Sequence, residues 1–196
     1  MNKAVFLDKD GTLIRNVSYN VNPDLVEFEP YAFEALKFLQ QHGFLLAIIT
    51  NQPGVAFGYF TEKELEHLQT HIAKMLEKQK VLLNGFYYCP HHPEGQVDEY
   101  SIICDCSKPA PGLLIRAAKE MNIDLKQSWM IGDILNDIEA GNRAGCKTIL
   151  INNGNETLWE LNNAREPDYI VDHLLHAAEI IVAKKINSFF HNEFME

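Results

Sequence analysis

Short runs of apolar residues recur along this chain and alternate with segments of helical periodicity. The runs cover residues 3–7, 44–49, 85–88, 129–131, 148–151 and 169–171. Continuous apolar strands are typical of a parallel sheet whose two faces are both covered, and strands that alternate with helices pair in parallel through right-handed crossovers. The pattern therefore predicts an α/β fold with a doubly wound, Rossmann-like parallel sheet.

The helical segments carry their own start and stop signals. Apolar spacing predicts helices over residues 31–42, 61–76, 111–121 and 137–144, and a last helix from about 173 to 185. Thr61 and Glu64 form a capping box at the start of the second helix, and Gly43 suits the end of the first. These helices supply the crossovers that parallel strands require.

The composition indicates one globular domain. With 196 residues, 46% of them hydrophobic, the chain suits a domain over residues 1–186 followed by a tail over 187–196. No apolar run approaches the ~18 residues that span a bilayer, and nothing resembles a signal peptide, so we expect a cytoplasmic protein. The net charge of −10 argues against a nucleic-acid partner, and we expect a monomer without membrane or nucleic-acid contacts.

Polar residues follow three of the predicted strands. Asp8 and Asp10 end the first strand, Thr50 ends the second, and Asp133 ends the fourth. Ligands of doubly wound sheets bind at the carboxyl edge of the strands, so the fold gathers these side chains into one crevice.

The chemistry of this crevice follows from its carboxylates. Two close carboxylates repel unless a cation lies between them, and hard oxygen ligands select Mg²⁺ together with a substrate phosphate. A carboxylate at Asp8 can attack phosphorus, and a second acid at Asp10 can protonate the leaving group and then activate water. Gly11 permits the tight turn that follows.

A cluster of cysteines indicates a second metal. Cys89, His91, Cys104 and Cys106 fall within 18 residues and supply three thiolates and an imidazole, the ligand set of a closed structural zinc site. Thiols clustered in a cytosolic chain are read as metal ligands before disulfides. The fourth cysteine, Cys146, lies between a helix and a strand and is interpreted as a core thiol.

The strand-end motifs resemble those of the haloacid dehalogenase superfamily of phosphatases. Residues 6–12 resemble its first motif, 48–51 its second, 108–109 its third and 132–137 its fourth, in order along the chain. The resemblance implies a haloacid dehalogenase-type fold with Asp8 as nucleophile and Asp10 as general acid and base.

The same resemblance assigns the remaining site residues. Thr50 and Asn51 would bind the phosphoryl group, and Lys108 would pair with its charge. Mg²⁺ would be held by Asp8, the backbone carbonyl of Asp10, and Asp133, with Asp137 behind them.

The zinc loop, residues 89–107, ends beside Lys108. A flexible excursion of this length would position an ammonium group poorly, whereas a zinc clamp at its base would fix it. We therefore hypothesise that zinc acts indirectly, by holding Lys108 in place.

The zinc loop narrows the resemblance to the D-glycero-D-manno-heptose 1,7-bisphosphate phosphatases. The related histidinol-phosphate phosphatases also carry a zinc loop, but with fewer residues between its two ligand pairs than this chain has between His91 and Cys104. The heptose family commonly has arginine where this chain has Phe57 and Ser107, and neither residue can bind a second phosphate as a bidentate arginine would. We assign both residues to substrate binding, with packing on the zinc loop as the alternative for Phe57.

These observations predict Mg²⁺-dependent phosphomonoester hydrolysis through an aspartyl phosphate on a zinc-stabilised domain. The favoured substrate is the heptose 1,7-bisphosphate, cleaved at the 7-phosphate. Another sugar phosphate, histidinol phosphate, and a catalytically inactive binding module remain alternatives, as does transfer to an acceptor other than water. Only about 35 residues separate the first two strands, so we expect no large cap domain.

Overall fold

The computed structural model describes residues 1–193, with side-chain surroundings given through residue 185. Within this range the strands form one parallel sheet in the order β3-β2-β1-β4-β5-β6. The strands are β1 Ala4–Leu7, β2 Leu45–Asn51, β3 Gly85–Cys89, β4 Trp129–Gly132, β5 Lys147–Ile151 and β6 Tyr169–Val171. The predicted doubly wound parallel sheet is confirmed.

Five helices connect or flank these strands in the described part of the chain: α1 Ala32–Gln41, α2 Glu62–Lys78, α3 Gly112–Glu120, α4 Leu135–Ala144 and α5 Leu174–Glu193. The predicted capping box is present, since the Thr61 hydroxyl accepts from the Glu64 amide and the Glu64 carboxylate accepts from the Thr61 amide. Helix α4 begins two residues earlier than predicted, and the Asp137 carboxylate accepts a hydrogen bond from the Ile134 amide at its start.

Helices cover both faces of the sheet, which explains the continuous apolar strands. Val5 and Leu7 of β1 join a core with α1, α2 and α5, whereas Ala4 and Phe6 join a second core with α3 and α4. All four side chains are fully buried. The alternation of β1 between two cores fixes its register and therefore the position of the acids that follow it.

The strand order reverses at β1, and this places a crevice at the carboxyl ends of β1 and β4. Between β1 and β2 the chain forms two isolated β-bridges, a short 3-10 turn, Pro23–Leu25, and α1, so this segment contributes no large cap domain, as predicted. None of the helices that the structure describes is long and apolar enough to cross a membrane.

Helix α5 extends past residue 186, the predicted domain boundary, and residues 194–196 lie outside the described residues. The division into a domain and a tail stays a prediction.

Candidate active site

Side chains from separate strand ends line one open cleft of about 250 Å³ at the carboxyl edge of the sheet. Asp8 and Asp10 follow β1, Thr50 lies near the end of β2, and Asp133 follows β4. Lys108 enters from the end of the cysteine-rich loop. The full lining comprises Asp8, Asp10, Asn16, Thr50, Asn51, Lys108, Asp133, Ile134, Asn136 and Asn155.

Lys108 is the buried cation of this cleft. Its Nζ lies 2.5 Å from Asp8 Oδ1 and 2.6 Å from Asp137 Oδ1, and it donates a 2.9 Å hydrogen bond to the Ile49 carbonyl. Burial opposes the charge, but the Asp137 and Asp8 carboxylates outweigh it and raise the pKa of Lys108 above its usual range. Lys108 therefore stays cationic and holds one oxygen of Asp8.

The Asn51 side chain fixes the peptide of Lys108. Asn51 Nδ2 donates to the Lys108 carbonyl at 3.0 Å, and Asn51 Oδ1 accepts from the Lys108 amide at 2.9 Å. Both ends of the Asn51 amide are thereby engaged with one residue 57 positions away. The phosphoryl-binding role assigned to Asn51 stays a prediction, and the contact observed is one that positions Lys108.

Asp10 has two partners that the sequence analysis did not identify. Lys9 Nζ lies 2.7 Å from Asp10 Oδ1, and Gln52 Nε2 donates to Asp10 Oδ2 at 3.0 Å and to Thr50 Oγ1 at 2.9 Å. Burial raises the pKa of Asp10, while the charge of Lys9 opposes that shift. A carboxyl group with a raised pKa suits a general acid near neutral pH.

Asp8 and Asp133, which line the cleft, lie close to a third carboxylate, Asp137, which is fully buried. Oxygens of Asp8, Asp133 and Asp137 all lie within 4.8 Å of one another. Burial, followed by the charges of Asp8 and Asp137, raises the pKa of Asp133 to about 7, although Asn155 donates to it at 2.7 Å. Hard oxygen donors with excess negative charge fit a divalent cation such as Mg²⁺, which would relieve this repulsion.

The loop after β5 contacts Asp133 and Gly11, and the sequence analysis missed these contacts. Asn155 contacts Asp133, and Asn153 Nδ2 donates to the Gly11 carbonyl at 2.7 Å. Gly11 has φ +88°, and a Cβ there would collide with Asp133 Oδ2. The run of polar residues at 152–155 follows a strand at the same sheet edge, so the strand-end rule applied to Asp133 could have found it.

The four predicted zinc ligands meet at one point. The Sγ atoms of Cys89, Cys104 and Cys106 lie 2.8 to 3.4 Å apart, and His91 Nδ1 lies 3.2 Å from Cys106 Sγ and 3.6 Å from Cys89 Sγ. None of these cysteines forms a disulfide. Three thiols and an imidazole converging in this way fit a tetrahedral structural zinc ion. Cys146 is buried elsewhere, as predicted, and burial raises its pKa to about 12.

Protein contacts also fasten the zinc loop. The Glu62 carboxylate at the start of α2 accepts hydrogen bonds from the Tyr88 hydroxyl at 2.9 Å and from the Tyr100 hydroxyl at 2.8 Å. The Ala56 carbonyl accepts from the amides of Gln96 and Val97. The loop is thus attached to the helix and to the segment after β2 independently of any metal.

Phe57 and Ser107 lie outside the cleft described above. Phe57 belongs to a group of rings, with centroids 5.6 Å from Tyr59, 6.3 Å from Tyr19 and 4.8 Å from His92. Ser107 is half-buried at the end of the zinc loop, and its carbonyl accepts from the Ala110 amide. Substrate binding by either residue stays a prediction.

The arrangement supports chemistry on an anionic substrate. A carboxylate paired with a buried lysine, a second carboxyl group with a raised pKa, and a cluster of acids that suits a cation together favour nucleophilic attack with acid–base assistance.

Comparison with known proteins agrees with this geometry. A family model described as HAD-hydrolase-like matches residues 105–177. The chain is 40% identical to the D-glycero-beta-D-manno-heptose-1,7-bisphosphate 7-phosphatase of Haemophilus influenzae, over 92% of this chain and 97% of that protein. It is 46% identical to the protein of the same name in Haemophilus ducreyi, over 78% and 84%.

A solved structure of similar shape carries a related name. It is the D,D-heptose 1,7-bisphosphate phosphatase of B. bronchiseptica, complexed with magnesium and phosphate. The TM-score is 0.80 at 28% identity, covering 93% of this chain and 99% of that one.

Proposed function

Because this chain belongs to the heptose 1,7-bisphosphate 7-phosphatase family of HAD-like phosphatases, we propose that it hydrolyses the 7-phosphate of D-glycero-β-D-manno-heptose 1,7-bisphosphate. The observation that carries the proposal is the meeting of Asp8, Asp10 and Lys108 in one cleft. Such a cleft, in a chain similar over nearly its whole length to phosphatases of that name, supports an active enzyme over an inactive binding module.

The residues divide the reaction between them. The Asp8 carboxylate attacks phosphorus, and the bond from phosphorus to the sugar O7 breaks as Asp10 gives its proton to that oxygen. Asp10 then takes a proton from the water that attacks the aspartyl phosphate, which releases inorganic phosphate and restores Asp8. Lys108 balances the charge of Asp8 and the phosphoryl group, and Gln52 holds the Asp10 carboxyl toward Thr50.

Mg²⁺ would be held by the carboxylates of Asp8 and Asp133 and by the backbone carbonyl of Asp10. When bound, Mg²⁺ supplies charge neutralisation that lets an anionic substrate approach these carboxylates. Asp137 is paired with Lys108, so its contribution is to hold the Lys108 ammonium group in place.

The cysteine cluster would hold Zn²⁺ through Cys89, His91, Cys104 and Cys106, and zinc would act on catalysis through Lys108. The clamp ends at Cys106, two residues before Lys108, whose peptide is also held by Asn51. We expect the zinc site and Asn51 to act together, because zinc would fix the loop and Asn51 fixes the peptide group of Lys108.

The proposal extends to the surroundings of the enzyme. We place it in the cytoplasm as a monomer that acts on a small sugar phosphate, without nucleic-acid or membrane partners. The net charge of −10 supports the absence of a nucleic-acid partner. The relatives described above lend no support to histidinol phosphate as the substrate.

A phosphate-release assay tests the proposed function. Zinc-loaded protein with Mg²⁺ should release phosphate from the heptose 1,7-bisphosphate, and ³¹P NMR should show loss of the 7-phosphate resonance while the 1-phosphate remains. Both anomers are compared to settle the preferred one. Loss of the 1-phosphate, or no phosphate release from either anomer, would show that the assignment is wrong.

A further inference from the structure

Two lysine side chains meet at the edge of the sheet opposite the catalytic cleft. Lys3 directly precedes β1, and its side chain lies on the same face of the sheet as that of Val5, because side chains alternate along an extended chain. Lys185 reaches this face from α5, and the two amino groups are in hydrogen-bond contact. An ammonium group has donors but no acceptor, so a hydrogen bond between two lysines requires one of them to be a neutral amine.

The surroundings identify Lys3 as the neutral member of the pair. Lys185 Nζ donates a 2.6 Å hydrogen bond to the carbonyl of His42, at the C-terminal end of α1, where the partial negative charge of the helix stabilises an ammonium group. Lys3 Nζ lies over the ring of Phe44, 4.7 Å from its centroid, and no carboxylate of the described residues forms an ion pair with Lys3. The ring of Phe44 offers an ammonium group less than the charge-assisted hydrogen bond that Lys185 makes.

The electrostatics agree with this assignment. Burial, followed by the hydrogen bond and the charge of Lys185, lowers the pKa of Lys3 to about 8. At pH 7.5 about a quarter of Lys3 is then neutral, against about 0.1% of a lysine with the ordinary pKa. The C-cap of α1 contributes His42 to this corner, and the Nδ1 atom of that ring lies 2.8 Å from the Phe38 carbonyl. A nucleophilic amine is therefore present beside a fixed ammonium group near neutral pH.

We propose that Lys3 is a site of carbamate formation, at which its amine binds carbon dioxide and the Lys185 ammonium group pairs with the product. The Lys3 nitrogen attacks the carbon of carbon dioxide, so an N–C bond forms and the electrons of one C–O π bond move to oxygen. The nitrogen then loses a proton to solvent, which leaves a negatively charged lysine carbamate. A neighbouring cation that disfavours an ammonium group at Lys3 favours this anion, because the interaction changes sign.

The corner suits carbon dioxide better than a larger electrophile. Lys3 is half-buried, and the Phe44 ring beneath it is buried. Carbon dioxide is small and uncharged, so it reaches the amine without bringing a charge against Lys185. Acylation by an acyl phosphate or a thioester would leave a neutral amide, which gains nothing from the Lys185 charge. Because Lys3 lies at the opposite edge of the sheet from the catalytic cleft, carbamate formation there does not depend on the proposed function.

Chemical trapping tests the site. Protein equilibrated with ¹³C-labelled bicarbonate at pH 7.5 is treated with triethyloxonium ion, which converts a carbamate into a stable ethyl ester, and is then digested for mass spectrometry. The labelled adduct should lie on Lys3, and fragment ions distinguish it from an adduct on the α-amine of Met1. Absence of the adduct from Lys3, with or without adducts elsewhere, would overturn the inference.

Variants test the role of the second lysine. Lys185→Met removes the cation that pairs with the carbamate and that lowers the pKa of Lys3, so the adduct on Lys3 should fall by at least about tenfold, as a rise of one pKa unit alone would give. Lys147→Arg is the matched control, since Lys147 also stands at the start of a strand with its Nζ over a ring, 5.2 Å from the Trp129 centroid. This control should leave the adduct on Lys3 unchanged. An undiminished adduct in folded Lys185→Met, checked by circular dichroism, would show that Lys185 does not stabilise a carbamate and that the inference is wrong.

Discussion

Replacement of Lys108 by methionine tests the charge balance at the centre of the site. The side chain of Lys108 is 4% exposed, and that of its partner Asp137 is fully buried at 2.6 Å. Methionine occupies a similar volume without a charge, so the variant leaves the Asp137 carboxylate buried without its cation and close to Asp8. We expect a well-packed but destabilised protein.

The expected loss of stability is large. Removing one partner of a buried ion pair costs about 3–5 kcal/mol, because the remaining charge is left uncompensated. This is a substantial part of the ~5–15 kcal/mol by which most domains are stable. For a chain of this size each kcal/mol shifts Tm by about 2–4 °C, so Tm should fall by roughly 6–20 °C.

The loss should also depend on pH in a defined direction. Burial raises the pKa of Asp137, and Lys108 opposes that shift, so removal of Lys108 raises the pKa further. Between the ordinary carboxyl pKa near ~4 and this raised value, the folded state keeps a proton that the unfolded chain has released. Stability of Lys108→Met therefore falls as pH rises, and its deficit against the unmodified protein grows from pH 5 to pH 8.

Urea unfolding followed by circular dichroism, without added Mg²⁺, measures both effects. A double variant, Lys108→Met with Asp137→Asn, should recover most of the lost stability at pH 8, since the buried pair is then neutral. The reasoning is refuted if the double variant is no more stable than Lys108→Met and if the deficit is equal at all pH values.

Four further predictions concern the proposed nucleophile, the two proposed metals and the cysteine-rich loop. Asp8→Asn should lower phosphate release by at least about 10³-fold while the circular dichroism spectrum is unchanged, and retained turnover would remove Asp8 from its role. Cys104→Ser should lose zinc, measured by mass spectrometry, and lower Tm and kcat together; full activity in verified zinc-free protein would contradict this. Because the folded pKa of Asp133 is raised to about 7, stability without Mg²⁺ should fall as pH rises from about 4 to 7, and saturating Mg²⁺ should flatten the Tm profile. Glu62→Gln should cost about 1–3 kcal/mol of stability through weaker bonds to two phenols, with zinc content unchanged, as calorimetry and metal analysis would show.

Most of the fold was predictable from the sequence because its signals are local. Apolar runs gave every strand, and Thr61 and Glu64 gave the start of α2. The acids at the strand ends were predictable as one site because parallel pairing brings the carboxyl ends of strands to one edge.

The contacts around those acids were not predictable, because they depend on how distant segments pack. Nothing local distinguishes the buried Lys9 from an exposed lysine, and its burial follows from the turn that also places Asp10. The Asn51 contact with the Lys108 peptide joins residues 57 positions apart. The strand-end rule could place Asn155 at the same sheet edge as Asp133, but not the hydrogen bond between these two residues. The spacing of the predicted zinc ligands likewise could not show that His91 turns its Nδ1 atom toward the cysteines.

The central place of β1 in the sheet has a consequence for synthesis of the protein. Asp8 leaves the ribosome 100 residues before Lys108, and β4, the strand beside β1, follows later still. At about 5–20 residues per second, Asp8 is synthesised roughly 5–20 s before Lys108, its partner in the ion pair. Until β4 has also been synthesised, β1 lacks one neighbouring strand, so a nascent chain that ends before residue 129 contains Asp8 but cannot assemble the site.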